Sequence, residues 1–315
     1  MNKLVKVAIK LPRDESKFIY SFALLYFLRD VYKKCEINVF GKPHDAEVFD
    51  YLPFKVRYYS ADLDELSYLG IHKYGVSLTE VFNLHLFIDL ESDLKSSFFA
   101  MTFKAKERIG YREGANKYLL THVYEKISDL RFDEDQVMLL KKHIKTDWAQ
   151  KEIVGEGRAL EDFEEEKLDE LSQEYLFICL DSRMENYELA KKLIFEFELP
   201  LIIYDTNPNK NTIKAKSIQY MQTCSVPLLK SLITHSRGVL SWIPFYSQIS
   251  CYLGVESLYL GSEISNFEVS QYFKTHPGIV ICKENEPLEI NDLELSKPLN
   301  NAEELVDSVL FKFNL

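Results

Sequence analysis

Residues 238–255, GVLSWIPFYSQISCYLGV, read as an apolar strand, a turn and an amphipathic helix. In an α/β sheet the crevice outside a strand's carboxyl end is where ligands bind, and the helix that follows offers its first amides to an anion. The residues of this turn are Ser241, Trp242, Ile243, Pro244, Phe245 and Tyr246. They include no glycine for close backbone approach, no carboxylate and no histidine, and Pro244 brings no N–H. What they offer instead is aromatic area, either buried or presented to a base, a lipid or a protein partner.

Other chemistries are missing their residues. The only Gly-x-Gly is Gly155-Glu156-Gly157, which lies in an acidic stretch and not after a strand, so a dinucleotide fingerprint is absent. A phosphate loop of the form G-x-x-x-x-G-K-[ST] is absent too. The five cysteines, Cys35, Cys179, Cys224, Cys251 and Cys282, form no C-x-x-C pair, and the histidines show no ligand spacing. Reduced thiols, no structural metal and a cytoplasmic protein are the expectation.

Elements to position a site are plentiful. LVKVAIKL (4–11) alternates as a strand, and SKFIYSFALLYFLRDVYKK predicts a largely buried helix capped by Ser16. CEINVFG (35–41), FKVRYYS (54–60) and NLHLFIDL (83–90) read as further strands. A second series starts at EYLFICLD (174–181), with a helix capped by Asn186, then LPLIIYD (199–205), SIQYM (217–221), a helix from Ser225, GVLSWI (238–243), ESLYLG (256–261), GIVICK (278–283) and a closing helix AEELVDSVLFKF. Strand and helix alternation in two series predicts an α/β fold of two doubly wound, Rossmann-like domains facing a cleft. The expected division is residues 1–150, an acidic helical connector at 151–172, and residues 173–315.

Charge agrees with that division. Of 38 Lys and Arg and 49 Asp and Glu, residues 1–150 hold 23 and 22, which leaves 15 and 27 for residues 151–315. Residues 151–175 alone carry ten acids and three bases, a solvated connector by composition. Nucleic-acid binding is disfavoured by this balance. No run approaches the roughly 20 apolar residues that span a bilayer, and the opening MNKLVKVAIKLP lacks the apolar centre of a signal peptide.

The segment 83–111, NLHLFIDLESDLKSSFFAMTFKAKERIGY, resembles glycosyltransferase family 9, the heptosyltransferase family. Asp89, Leu94, Lys95, Ser96, Ala100, Lys106, Arg108, Ile109 and Gly110 carry the likeness in order and spacing, and weaker similarity extends over most of the chain. The resemblance implies a GT-B-like architecture with an acceptor-side N-terminal domain and a nucleotide-sugar-side C-terminal domain. It implies metal-independent, inverting transfer of a sugar from a nucleotide donor to a lipopolysaccharide core or similar anionic glycolipid. A protein of that kind would be cytoplasmic and peripheral at the inner membrane, with the nucleotide sugar as co-substrate and no other cofactor.

Such transfer needs a carboxylate base and positive or dipolar groups on the leaving diphosphate. The resemblance aligns Ser16 with the base, and Asp14 or Glu15 are the carboxylates close enough to replace it; both also suit the start of a helix. It implies acceptor or phosphate contacts from Lys95, Lys106, Arg108 and Arg112, and donor contacts from Ser182, Arg183, Asp205 and Thr206. Counting back from Leu253-Gly254-Val255, the family's Asp-[ST]-Gly-x-x-His donor turn falls on Ile243, Pro244, Phe245 and Gln248, so every chemical member of it is replaced. A catalytically inactive relative that serves as a binding or scaffold protein is the alternative.

Overall fold

Six short apolar segments of the N-terminal half meet as one parallel sheet. They are β1 (Val5–Lys10), β2 (Cys35–Gly41), β3 (Arg57–Ser60), β4 (Leu86–Asp89), β5 (Glu107–Tyr111) and β6 (His122–Tyr124), arranged β3-β2-β1-β4-β5-β6. The computed structural model describes residues 4–13, 17–127, 131–148, 153, 155, 174–180, 199–205, 218–221, 224–261, 270–273, 275, 278–281, 288–290 and 298–299. The chain divides into two units, Met1–Lys151 and Glu152–Leu315. Parallel neighbours need long crossovers, and in the first unit these carry α1 (Ser21–Val31), α2 (Tyr68–Phe82) and α3 (Leu94–Thr102), with α4 (Phe132–Ile144) after the sheet.

Helix α1 starts four residues later than the Ser16 cap predicts. Its N-cap is Tyr20, without a side-chain cap, and Ser21 Oγ donates to the Phe18 carbonyl inside the preceding turn. The apolar run that suggested a long helix is buried from Phe18 to Leu25, so tertiary packing and not a cap sets its beginning.

The core on one side of this sheet is aromatic. Phe40 of β2 lies within 5.2–6.4 Å of the rings of Phe82, Phe87, Phe99 and Phe103, from α2, β4, α3 and the residue after it. Such ring pairs add roughly 0.5–1.5 kcal/mol each beyond burial. Helices α2 and α3 touch where Gly75 meets Thr102; a Cβ on Gly75 would lie 1.7 Å from Thr102 Oγ1. This contact fixes the C-terminal end of α3 against α2.

The second unit repeats the strand order. Its parallel strands β7 (Leu176–Leu180), β8 (Leu201–Asp205), β9 (Ile218–Met221), β10 (Gly238–Ser241), β11 (Ser257–Gly261) and β12 (Gly278–Ile281) lie as β12-β11-β10-β7-β8-β9, extended by antiparallel β13 (Leu288–Ile290) and β14 (Pro298–Leu299). Helix α5 (Val226–His235) is capped by Ser225, which accepts from the Leu228 amide, as its sequence predicts. Helix α6 (Pro244–Tyr252) follows β10. In both units the first strand has its successors on one side and the fourth on the other, so each sheet has one switch point, β1/β4 and β7/β10. The Asn186-capped helix, the helix of the acidic connector and the closing helix lie outside the described residues.

Candidate functional site

The first switch point is built around Asp89, the last residue of β4. Its carboxylate is fully buried and accepts from the Ser92 amide at 2.9 Å, Ser96 Oγ at 2.9 Å and Ser97 Oγ at 2.6 Å. Burial pushes its pKa up to about 6, against the three hydrogen bonds and Lys10, which pull it down. Ser92 takes a left-handed φ of 63°, a conformation that costs a side-chain-bearing residue roughly 1–2 kcal/mol. The turn is held by Ser92 Oγ donating to the Asp89 carbonyl, by the Tyr111 amide donating to Ser92 Oγ, and by Asn116 Nδ2 donating to the Ser92 carbonyl. Asp93 then caps α3 by accepting from the Ser96 amide.

These contacts give the family-like residues of this block a structural reason. Asp89 and Ser96 close the turn, Ile109 is core, and Gly110 lets β5 pass beside Asp89: a Cβ there would lie 2.9 Å from the Asp89 carbonyl oxygen and 3.0 Å from Leu120 Cδ1. They shape the edge of the sheet rather than reach into solvent.

Above the turn is a small concavity whose lining includes Lys10, Arg13, Lys42, Asp64, Glu91 and Asp93. It lies at the carboxyl ends of β1 and β4, where the strand order reverses. Arg13 gathers carboxylates from two loops: Nε is 2.9 Å from Glu91 Oε1, and Nη2 reaches Asp64 at 2.7 Å and Asp93. Lys10 is almost fully buried; its Nζ donates to the Leu11 carbonyl at 2.9 Å and lies 3.6 Å from Glu91 Oε2. Burial pushes the Glu91 carboxyl up to about 7; Lys10 and Arg13 oppose this, while Asp93 and Asp89 add to it. Neither Glu91, Arg13 nor Lys10 is named by the sequence reading. A lysine closing the strand β1 and an acid two residues past the end of β4 were the signals available.

The four expected basic contacts do not form one patch. Lys95 Nζ donates to the carbonyls of Leu63 and Asp64, both at 3.0 Å, tying α3 to the loop after β3. Arg108 donates to the carbonyls of Leu119 and Ala105, and its partial burial lowers its pKa. Lys106 is exposed. Lys106 and Arg108 lie at the amino end of β5, whereas Lys95 follows the carboxyl end of the parallel strand β4, so the backbone of Lys95 and that of the other two are on opposite edges of the sheet. Arg112, past the end of β5, pairs with Glu125 at 3.1 Å on the surface. Asp14 and Glu15 lie outside the described residues.

At the second switch point, Ser182, Arg183 and Thr206 lie outside the described residues, and Asp205 is the last residue of β8, beside Leu180 of β7. The turn after β10 closes on itself. Ser241 Oγ donates to the Ile243 carbonyl and accepts from the Ile243 amide, and the Trp242 amide donates to the Cys179 carbonyl. Ile243 is the N-cap of α6 with no side-chain cap, and Pro244 opens the helix. Trp242 is only 8% exposed and therefore offers no aromatic surface; its indole N–H has no hydrogen-bond partner among the described residues. Phe245 and Tyr246 are half-buried, with Tyr246 edge-on to Tyr204 at 5.5 Å and Phe245 edge-on to Tyr246 at 5.3 Å. Of the two options for this aromatic area, Trp242 takes burial, and Tyr204, Tyr246 and Phe245 form a ladder of rings with Phe245 at its end.

Among the described residues no cluster of His, Cys, Asp and Glu is suited to a metal ion, and no helix is long and apolar enough to cross a membrane.

No protein-family model and no curated protein sequence matches the chain. Solved structures do. A glycosyl transferase family 9 protein from Veillonella parvula matches with a TM-score of 0.75 at 11% identity, over 100% of this chain and 99% of its own. An E. coli ADP-heptose lipopolysaccharide heptosyltransferase II matches with a TM-score of 0.69 at 15% identity, over 98% and 99%. An E. coli heptosyltransferase solved with ADP matches with a TM-score of 0.70 at 11% identity, over 98% and 100%. The fold is the α/β, GT-B-like fold of these glycosyltransferases.

Proposed function

We propose that this chain is a glycosyltransferase-like protein that moves a sugar from a nucleotide donor to a glycan acceptor, without a metal. The observation that carries the reading is the full-length likeness to a glycosyl transferase family 9 structure at a TM-score of 0.75 and to two heptosyltransferase structures, one of them with ADP, at 0.69 and 0.70. Fold alone does not name a reaction; the added support is a concavity with a titratable carboxylate at the first switch point, where α/β sheets place their chemistry.

In this reading residues 1–150 take the acceptor, residues 151–172 connect, and residues 173–315 take the nucleotide sugar. Asp14 or Glu15, four and five residues past the end of β1 in the sequence, remove the acceptor proton as its oxygen attacks the anomeric carbon. The departing nucleoside diphosphate is held by Ser182, Arg183, Asp205 and Thr206. The protein works in the cytoplasm, at the inner face of the membrane where the acceptor is a glycolipid.

A second reading is favoured by one observation. The turn after β10 spends its Ser241 hydroxyl on its own backbone, starts α6 with proline and packs Phe245 where close approach of a diphosphate calls for glycine. An inactive relative that binds a partner fits that turn.

Calorimetric titration with ADP, UDP, GDP and CMP, and with their sugar conjugates, separates the two. Saturable binding of one nucleotide, weakened at least tenfold in Asp205→Ala or Arg183→Ala, supports a transferase and names the donor class. Absence of binding at millimolar ligand across the panel rejects it.

A further inference from the structure

We propose that the outward face of α2 and α3 docks onto a lipid bilayer, with Tyr68, Leu69, Val76, Leu94 and Met101 entering its interfacial layer. This rests on the glycosyltransferase reading and deepens it, since it supplies the surface that brings a glycolipid acceptor to the first unit.

Exposed apolar surface is concentrated on this face. Of the seven large apolar side chains that are exposed among the described residues, five lie on α2 and α3, each between 36% and 64% exposed, while α1 and α4 contribute none. Their spacing makes them one patch. Leu94, Phe98 and Met101 follow at i, i+4 and i+7 along one stripe of α3, and Leu69 and Val76 at i and i+7 along α2. Phe98 is half-buried and meets Tyr68 edge-on at 5.4 Å, so the two exposed faces join at that ring pair. Charge is sparse: the two helices hold only His72, Lys73, Glu80 and Lys95, and Lys95 is turned onto the carbonyls of Leu63 and Asp64. The rim is mixed in sign, with exposed Glu65 before α2 and exposed Lys104 and Lys106 after α3.

Area and position select the occupant. The five side chains leave roughly 450 Å² of mainly apolar surface, a patch of the size that is often functional on a monomer, yet about half of the ~800 Å² per partner of a stable protein interface. Such an interface also carries about one hydrogen bond per 100–200 Å², whereas the polar groups within this patch are the Tyr68 hydroxyl and the His72 imidazole. A bilayer asks for neither: interfacial binding grows with buried apolar area, and an aromatic ring with a polar tip suits the headgroup level. Asp64 and Asp93 line the concavity at the first switch point, and Tyr68 and Leu94 open the two helices just beyond them. The patch thus begins at the mouth of the concavity, where a glycolipid whose chains stay in the bilayer would present its head group.

The test is co-sedimentation of the full chain with phosphatidylcholine vesicles, with and without a quarter of phosphatidylglycerol, at low and high salt. The wild type is compared with two double variants, Leu69→Gln with Leu94→Gln and Tyr68→Ser with Met101→Gln. Tyr118→Ser is the control, because Tyr118 is exposed but lies on neither helix. Each protein is first checked for folding by circular dichroism and thermal unfolding. With the rim mixed in sign, apolar area drives binding, so the wild type and Tyr118→Ser should bind both kinds of vesicle within about threefold of one another and with little dependence on salt. Each double variant should bind at least tenfold more weakly. Should one double variant fail to fold, the other decides.

Absence of vesicle binding, or binding unchanged in the double variants, overturns the proposal. Binding confined to the anionic vesicles and abolished by salt overturns it too, because charge and not this face would then be responsible. A concentration-dependent dimer in light scattering that the double variants abolish, without vesicle binding, overturns it in favour of a second copy of the chain. Nucleotide titration keeps the two readings apart. Vesicle binding through this face without nucleotide binding supports the docking surface and rejects the transferase, whereas nucleotide binding without vesicle binding does the reverse.

Discussion

Replacing Asp89 with asparagine should make the first unit progressively more stable than wild type as pH rises. The carboxylate of Asp89 is fully buried, and its pKa rises from 3.8 to about 6 on folding. The folded state therefore holds this proton more tightly than the unfolded chain. The stability Asp89 contributes is complete below its unfolded pKa and is lost as pH climbs through about 6.

A shift of that size corresponds to roughly 3 kcal/mol over the whole range, of which about 2 kcal/mol falls between pH 4.5 and pH 8. Asparagine keeps an oxygen for the Ser92 amide, and its Nδ2 meets the Ser96 and Ser97 hydroxyls, which can rotate to accept. The substitution thus removes the titration and keeps most of the network. The assay is urea unfolding at both pH values, read through Trp148, whose ring lies edge-on to Phe27 of α1 at 4.8 Å. A Trp242→Phe background leaves Trp148 as the only tryptophan. The difference between Asp89→Asn and its parent should move by about 2 kcal/mol toward the variant on going from pH 4.5 to 8. A difference that stays flat, or that moves toward the parent, refutes the assignment of Asp89 as a proton-holding buried acid.

Gly110→Ala should destabilise the first unit by about 1–3 kcal/mol, because its Cβ meets the Asp89 backbone at 2.9 Å and backbone cannot swing away; the same unfolding assay measures it, and a loss under 0.5 kcal/mol would mean that β5 shifts freely. Lys95→Met should cost about 1 kcal/mol through its two lost carbonyl contacts and leave any nucleotide affinity within twofold, as read by calorimetry; a tenfold loss of affinity would restore Lys95 as a phosphate contact. Cys35, pushed up to about 12 by burial, and fully buried Cys179, also raised, should resist iodoacetamide at pH 8 in the folded protein and react on unfolding, as followed by peptide mass spectrometry.

The alternation of elements was legible because each strand of a parallel sheet is a short apolar run and each helix carries a 3.6-residue face. The strands LVKVAIKL, CEINVFG, FKVRYYS and NLHLFIDL, those from EYLFICLD to ESLYLG, and the Ser225 cap follow from that local signal, whereas β5 and β6, short and partly polar, and the order of strands in each sheet do not. Local signal also showed that the turn from Ser241 to Phe245 lacks the residues of an anion grip. It misplaced the start of α1, because burial from Phe18 onward looks the same in a buried turn as in a helix. It also joined Lys95, Lys106 and Arg108 into one basic segment. Chain proximity suggests such a patch, but β5 runs parallel to β4, so the loop between them returns to the opposite edge of the sheet.

The sequence by itself determined the fold class, the missing phosphate chemistry and the family-like block from Asp89 to Gly110, since these depend on residue type and period along the chain. Only the tertiary structure decided what that block does. It buries Asp89 among three serines, turns Lys95 onto two carbonyls and draws Lys10, at the end of the first strand, and Arg13, just past it, onto Glu91, about 80 residues away. The pairing of β1 with β4 creates that encounter, and no pattern within either strand announces it.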